Sequence, residues 1–241
     1  MEIEKLVNLE TLTKNRIATV ALPAIASLGV LFTNYLVFMV VPDEQVMGAV
    51  QRIFYFHVGS AMACYSMIGV LFLASVMYLN SKKPQWDAVA ESAAAVGFTF
   101  CTVVLVTGMI WGHSAWNVWW RWEPRLVSFL VLWFVMFSYV LLRGFTENHP
   151  RKRNLAAALG IISAVNVPIV IFSIKLLDNT QQLHPEVVAK QGLRDISFVY
   201  TLVSANVFLI VAAFWFMMVQ LRRLLIAQSV TDLRRIFHSR S

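Results

Sequence analysis

Charge is scarce in this chain: Asp, Glu, Lys and Arg together supply 14% of its 241 residues, whereas hydrophobic types supply 59%. A soluble domain carries nearer a quarter of charged residues, so a chain wetted on all sides is excluded. Cysteine is nearly missing as well. Cys64 and Cys101 are the two present, and no C-x-x-C or C-x-x-C-H occurs, which excludes dithiol exchange and a thioether-attached cofactor of the chain's own. Both fall inside apolar runs, where a thiol behaves as a small apolar side chain. Walker and G-x-G-x-x-G loops are absent, so any nucleotide would be used by a partner. No run alternates apolar and polar residues as a barrel strand does, and no small-x-small cleavage site follows the first apolar run, so that run reads as an anchor and not as a removable leader.

What is abundant is long apolar sequence. The mean hydropathy is +0.67, and a helix needs roughly 20 apolar residues to cross a hydrocarbon core about 30 Å thick. Six stretches qualify: Ile17 to Val41, Ile53 to Leu79, Ala88 to Ile110, Leu126 to Leu142, Leu155 to Ile174 and Ile196 to Leu221. The expected fold class is an all-α integral membrane protein, one transmembrane domain of six helices over residues 1–241, with a tryptophan-rich loop at 111–125. With no water in the hydrocarbon to hydrogen-bond them, backbone groups inside such runs are paired by helix formation.

The scarce cations are unevenly placed. Fourteen of the twenty Lys and Arg fall in the N-terminal arm (Lys5, Lys14, Arg16), the second loop (Lys82, Lys83), the fourth (Arg143, Arg151, Lys152, Arg153) and the tail (Arg222, Arg223, Arg234, Arg235, Arg240). The other loops hold Arg52, Arg121, Arg125, Lys175, Lys190 and Arg194. By the positive-inside bias both termini are expected in the cytoplasm of a bacterial-type inner membrane. The formal net charge of +7 is therefore mostly a topology signal, and nucleic acid is not an expected partner.

Three unusual features then share the outer side. His57 opens the second span, about one turn inside the surface, and Gly59, Ser60 and Ala61 follow it with little bulk to obstruct a flat ligand. Alone, such a histidine is more often an interfacial residue among helix-packing neighbours. Five of eight tryptophans crowd into the segment from Trp111 to Trp122. An interfacial aromatic belt explains one or two of them; a short helix along the interface would put Trp116, Trp119 and Trp120 on one face, with Trp122 at its edge. His184 stands in the fifth loop before Pro185, which biases its backbone to an extended form. A lone loop histidine is usually just solvated.

The combination changes the reading. Haem iron takes imidazoles on opposite faces of its ring, and indoles can cover a broad aromatic plane. Arg52, Arg121 and Arg125 could pair with propionates, although arginines at an interface also meet phospholipid headgroups. His113 is a reserve ligand, while His149 and His238 fall on the other side. Glu91, Asp195, Asn34 and Asn166 are polar residues in or near spans, for which bonding across helices is the plain reading. Pro168 should kink the fifth helix.

At Trp111, Gly112, Trp116, Trp120 and Trp122 the chain resembles the tryptophan-rich haem-handling superfamily whose segment reads W-G-x-x-x-W-G-x-x-W-x-W-D. Asn117 stands for the second glycine, Glu123 for the aspartate and Pro124 for a following alanine. Helix number, loop order, the Arg52-to-His57 spacing and the place of His184 are similar to the CcmC branch; the CcmF and CcsA branches are longer and add a further histidine pair. The resemblance implies non-covalent, b-type haem in transit, held by His57 and His184 as iron ligands. Trp111, Trp116, Trp119, Trp120, Trp122, Glu123 and the three arginines would surround it. It also implies presentation to the chaperone CcmE, and work alongside CcmD and the transporter subunits CcmA and CcmB. It implies a delivery platform more than an enzyme. Two other classes remain on the residues alone, a membrane b-type cytochrome that passes electrons and a permease without cofactor.

Overall fold

The computed structural model describes residues 17–44, 47–145, 150–173 and 195–238. Six helices long and apolar enough to cross a membrane are present: α1 (Leu22–Tyr35, flanked by the π-helical turns Ile17–Ala21 and Leu36–Val40), α2 (Ile53–Ser81), α3 (Pro84–Trp116), α4 (Pro124–Phe145), α5 (Pro150–Phe172) and α6 (Ile196–His238). A 3-10 turn, Ala49–Arg52, leads into α2. The chain is thus a multi-pass, all-α membrane protein. His184, with all of 174–194, lies outside the described residues.

Several helices outrun the apolar stretches that announce them. α3 has 33 residues, about 50 Å at 1.5 Å per residue, which exceeds the roughly 30 Å thickness of a hydrocarbon core. Hydropathy detects lipid contact; the helix itself continues until something stops it. Proline opens α3, α4 and α5 at positions 84, 124 and 150, where its missing N–H costs nothing and its fixed φ suits a first turn. Lys82, left-handed at φ 55°, ends α2, and Lys83 is extended before Pro84. That two-residue turn makes α2 and α3 an antiparallel pair.

α2 is the central helix, packed against α3, α5 and α6; α4 lies against α3 and α5, and α1 sits at the edge on α6. Small residues set the close approaches, as is usual where lipid removes the hydrophobic drive between helices. A Cβ on Gly160 would meet Ser75 Oγ at 2.5 Å, and one on Gly29 would fall 1.9 Å from the Phe208 ring. Gly59 has this duty too: its Cβ would lie 2.7 Å from Leu209 of α6, so it serves helix packing and not ligand access. Leu31, Leu73, Phe134, Val165 and Val203 are exposed, the outer coat expected where lipid is the solvent. Asn34 donates to Val30 of its own helix at 2.8 Å, a local bond and not the cross-helix one expected. Pro168 lies inside α5.

At one end of the bundle a buried ionic cluster ties α3, α4 and α5. Arg143 grips Asp87 with two parallel bonds of 3.0 and 3.1 Å and also pairs with Glu91. Arg153 reaches Asp87 at 3.2 Å, and Lys152 donates to the Arg143 carbonyl at 3.0 Å. Asp87 is 3% exposed, so its charge depends on these partners. Removing one member of a buried pair costs about 3 to 5 kcal/mol. Arg143→Met should therefore lower the unfolding midpoint in detergent strongly. Asp87→Asn with Arg143→Met together should recover much of it, which thermal denaturation of the single and double variants would measure.

Candidate functional site: an aromatic pocket at one end of the bundle

At the opposite end, α2 begins, α3 ends and α4 begins. His57 projects from the second turn of α2, half-buried against α3. Its Nδ1 lies 3.1 Å from Thr107 Oγ1, and the Trp111 ring is centred 6.4 Å away. Gly108 makes room for the imidazole, since a Cβ there would sit 3.1 Å from His57 Cε1. The bulk-free flank expected beside His57 therefore comes from Ala61 on its own helix and Gly108 on the next, not from Gly59.

The tryptophan segment is not a separate interfacial helix. Trp111 and Trp116 belong to the last turns of α3; residues 117–123 form a loop; Arg125 belongs to the first turn of α4. Asn117 stops α3 in a left-handed conformation, φ 55° and ψ 32°, its N–H bonded to the His113 carbonyl. Glycine and asparagine tolerate that conformation best, which explains why asparagine can stand where the superfamily pattern has glycine. The loop then folds back on α3, and a Cβ on Gly112 would lie 3.0 Å from the Val118 carbonyl oxygen. That return, and not helical spacing, gathers Trp116, Trp119 and Trp120 onto one pocket.

The pocket is an open hollow whose wall includes His57, Trp111, Trp116, Trp120, Arg125 and Tyr65. Trp119, Arg121 and Glu123 also line it. Trp111 is 3% exposed and contacts Phe54 and Trp116, with ring centres at 6.3 and 5.2 Å. Glu123 immediately precedes α4, and its carbonyl accepts the Val127 N–H at 2.9 Å. Its carboxylate is buried beside Arg121, 3.9 Å away, at a helix start where negative charge is favoured. Arg125 has no carboxylate partner among the described residues. Trp120 Nε1 is buried with no hydrogen-bond partner among them.

Two expected residues stand apart. Arg52 pairs with Asp43 at 2.9 Å, and Trp122, 77% exposed, packs edge-on against Trp120 at 5.8 Å; neither lines the pocket. His113 stacks on Trp119 at 4.1 Å and 20°. His184 lies outside the described residues. The residues that the sequence did not single out are Tyr65, two turns after His57, and Thr107 and Gly108, one turn before Trp111. Helical spacing from the two flagged residues would have found them.

Chemically, the hollow offers one imidazole, a lining of indoles, a buried indole N–H and a guanidinium with no carboxylate beside it. Among the described residues no three His, Cys, Asp or Glu side chains converge to hold an ion. A lone imidazole in aromatic surroundings suits a metal that brings its own equatorial ligands. The fold defines a polytopic helical membrane protein with an aromatic pocket at one end of its bundle.

The sequence model of CcmC, heme exporter protein C, matches residues 4–236, and the chain belongs to that family. Similar proteins include a heme exporter protein C of Bradyrhizobium diazoefficiens, 32% identical over 63% of this chain and 57% of its own length. A ccmC-like mitochondrial cytochrome c biosynthesis protein of Marchantia polymorpha is 28% identical over 76% and 75%. The heme exporter protein C of Escherichia coli K12 is 29% identical over 66% and 65%. The match thus spans little more than half of the first of these relatives.

The left-handed stop at Asn117 generates a test. Asn117→Gly should leave stability and ligand binding near wild type. Asn117→Val should cost about 1 to 2 kcal/mol, the penalty of a side chain unsuited to that conformation. Denaturation midpoints of the two variants would show the contrast.

Proposed function

We propose that this protein binds haem non-covalently in the pocket beside His57 and presents it for cytochrome c maturation. The observation that carries the reading is the convergence of an imidazole, several indoles and the Arg125 guanidinium on one open hollow. Haem asks for these three things at once: an axial nitrogen for its iron, apolar cover for its ring and cations for its propionates. Membership of a family described as heme exporter protein C supports the same choice.

In this reading His57 supplies one axial nitrogen and His184, from the fifth loop, the other. Trp111, Trp116, Trp119 and Trp120 cover the ring. Arg125, with Trp120 Nε1 and Arg121, takes the propionates. Arg52 and Trp122 serve at the rim, Arg52 by holding the first loop through Asp43. The pocket faces the periplasm of an inner membrane, with both termini in the cytoplasm. The acceptor is the chaperone CcmE, and CcmA, CcmB and CcmD are the companions. Holding the reactant in place lowers the entropic cost of its capture by the acceptor. A b-type electron carrier is less well supported, because such a role pairs histidines deep inside the bundle, whereas His57 and His113, the two described histidines in the candidate spans, both lie at helix ends.

Absorption spectra of the purified protein test the ligands. His57→Ala and His184→Ala should each lose the six-coordinate, low-spin bands of the wild type; a normal spectrum from either would remove that residue from the iron. Arg125→Leu should weaken haem binding about tenfold, the worth of one charge-assisted hydrogen bond, with Arg125→Lys falling between, as titration with haem would record. Sidedness is checked by an impermeant thiol reagent on intact cells, which should modify Val118→Cys and spare Lys83→Cys.

A further inference from the structure

The contact between His57 and Thr107 specifies more than proximity. Thr107 Oγ1 lies 2.7 Å from the Val103 carbonyl oxygen and 3.3 Å from that of Val104. A hydroxyl has one proton to give, and both of these backbone oxygens can only accept, so the Thr107 proton is committed to its own helix. Toward His57 the oxygen therefore presents a lone pair. Nδ1, 3.1 Å away, is thereby placed to donate, and the Val104 carbonyl is a second acceptor on the same helix for the imidazole. A neutral imidazole has a single N–H, and with it on Nδ1 the lone pair belongs to Nε2. Gly108 completes the arrangement: it lets the ring lie against α3, and any larger residue there would press on Cε1. A half-turn of the ring would exchange Nδ1 for a carbon and lose the bond.

We propose that Thr107 is the positioning residue of the metal ligand, holding His57 in the tautomer and rotation that make Nε2 the coordinating nitrogen. This deepens the haem reading and rests on it for the identity of the metal; the tautomer itself is a property of the empty protein. A ligating histidine whose other nitrogen donates to a fixed acceptor is better oriented and more basic, and losing such an acceptor typically weakens metal binding about 10- to 100-fold.

The experiment compares wild type, Thr107→Ser, which keeps the hydroxyl, and Thr107→Val, which removes it with little change in shape. Nitrogen NMR of haem-free, histidine-labelled protein, with the His57 signals identified by their loss in His57→Ala, should show Nδ1 protonated in wild type and in Thr107→Ser. Thr107→Val should give a mixture of tautomers. With haem added, Thr107→Val should raise the dissociation constant about 10- to 100-fold and shift the iron–imidazole vibration, while Thr107→Ser stays near wild type. A wild-type signal showing Nε2 protonated would overturn the proposal without any variant having to fold. So would a Thr107→Val protein with unchanged tautomer and affinity. Expected tautomers in a protein that never takes up haem would uphold the orientation by Thr107 and refute the haem reading instead.

Discussion

The site exists because α2 and α3 are locked in one antiparallel register. Their connection is too short to allow sliding, and the pairing follows from it: Gly108 stands as many residues after Lys83 as His57 stands before Lys82. Further along the same seam Gly97 packs against Met67, where an added Cβ would come within 3.2 Å. Buried alanines and the two cysteines fill the intervening layers, among them Ala63, Cys64, Ala93, Ala94 and Cys101, all 0% exposed. A slip of one residue would turn each contact by about 100° around the helix and set bulky side chains where small ones now meet. The seam's small residues and the place of the imidazole are consequently one constraint. A larger residue at Gly97 or Gly108 should disturb both the packing and His57.

The two ends of the bundle divide the work. At one, Asp87, Glu91, Arg143 and Arg153 join three helices through charges that burial makes mutually dependent. At the other, contacts are aromatic and the connecting loop adds Trp119, Trp120 and Arg121 to the pocket wall. Ionic anchoring is orientation-specific and, in a buried setting, intolerant of partial loss. Stacked and edge-on rings are more forgiving of small shifts. A bundle pinned at one end can thus keep its helix positions while a loop at the other adapts to what it holds.

The six spans were legible because lipid demands long apolar runs, and their order along the chain came with them. Their true ends were not: α3 continues six residues beyond Ile110, to Trp116, since helix propensity and a left-handed residue decide termination and hydropathy registers neither. His57 and the tryptophans stood out because imidazole and clustered indole are costly or rare in such a setting. Thr107, Gly108 and Tyr65 are ordinary residues of apolar helices, and only the register of α2 against α3 gives them meaning. Asp87 and Arg143 were opaque for a related reason. Each was one more charge near a membrane surface until the fold set them 3.0 Å apart. Helical spacing along the interface, one way to bring Trp116, Trp119 and Trp120 together, does not operate because Asn117 ends α3, and the tryptophans are gathered by a chain reversal that no periodicity displays.

A carrier of cargo has to satisfy opposed demands, and the placement of residues here bears on both. One group of contacts belongs to rigid helices: His57 on α2, Thr107 and Trp111 on α3, Arg125 on α4. These have their positions set before a ligand arrives, so little order is lost on binding. The other group sits on the loop 117–123, where Trp119 and Arg121 are exposed and where His113 braces Trp119 by a single stacked contact. Under the haem reading, the axial bond and the ring's inner cover come from the first group and the outer cover from the second. Opening the loop would then uncover one side of the ligand without displacing the imidazole. A partner could engage the ligand before the helix-borne bond is broken, which keeps a poorly soluble, reactive macrocycle from being released into water between the two proteins.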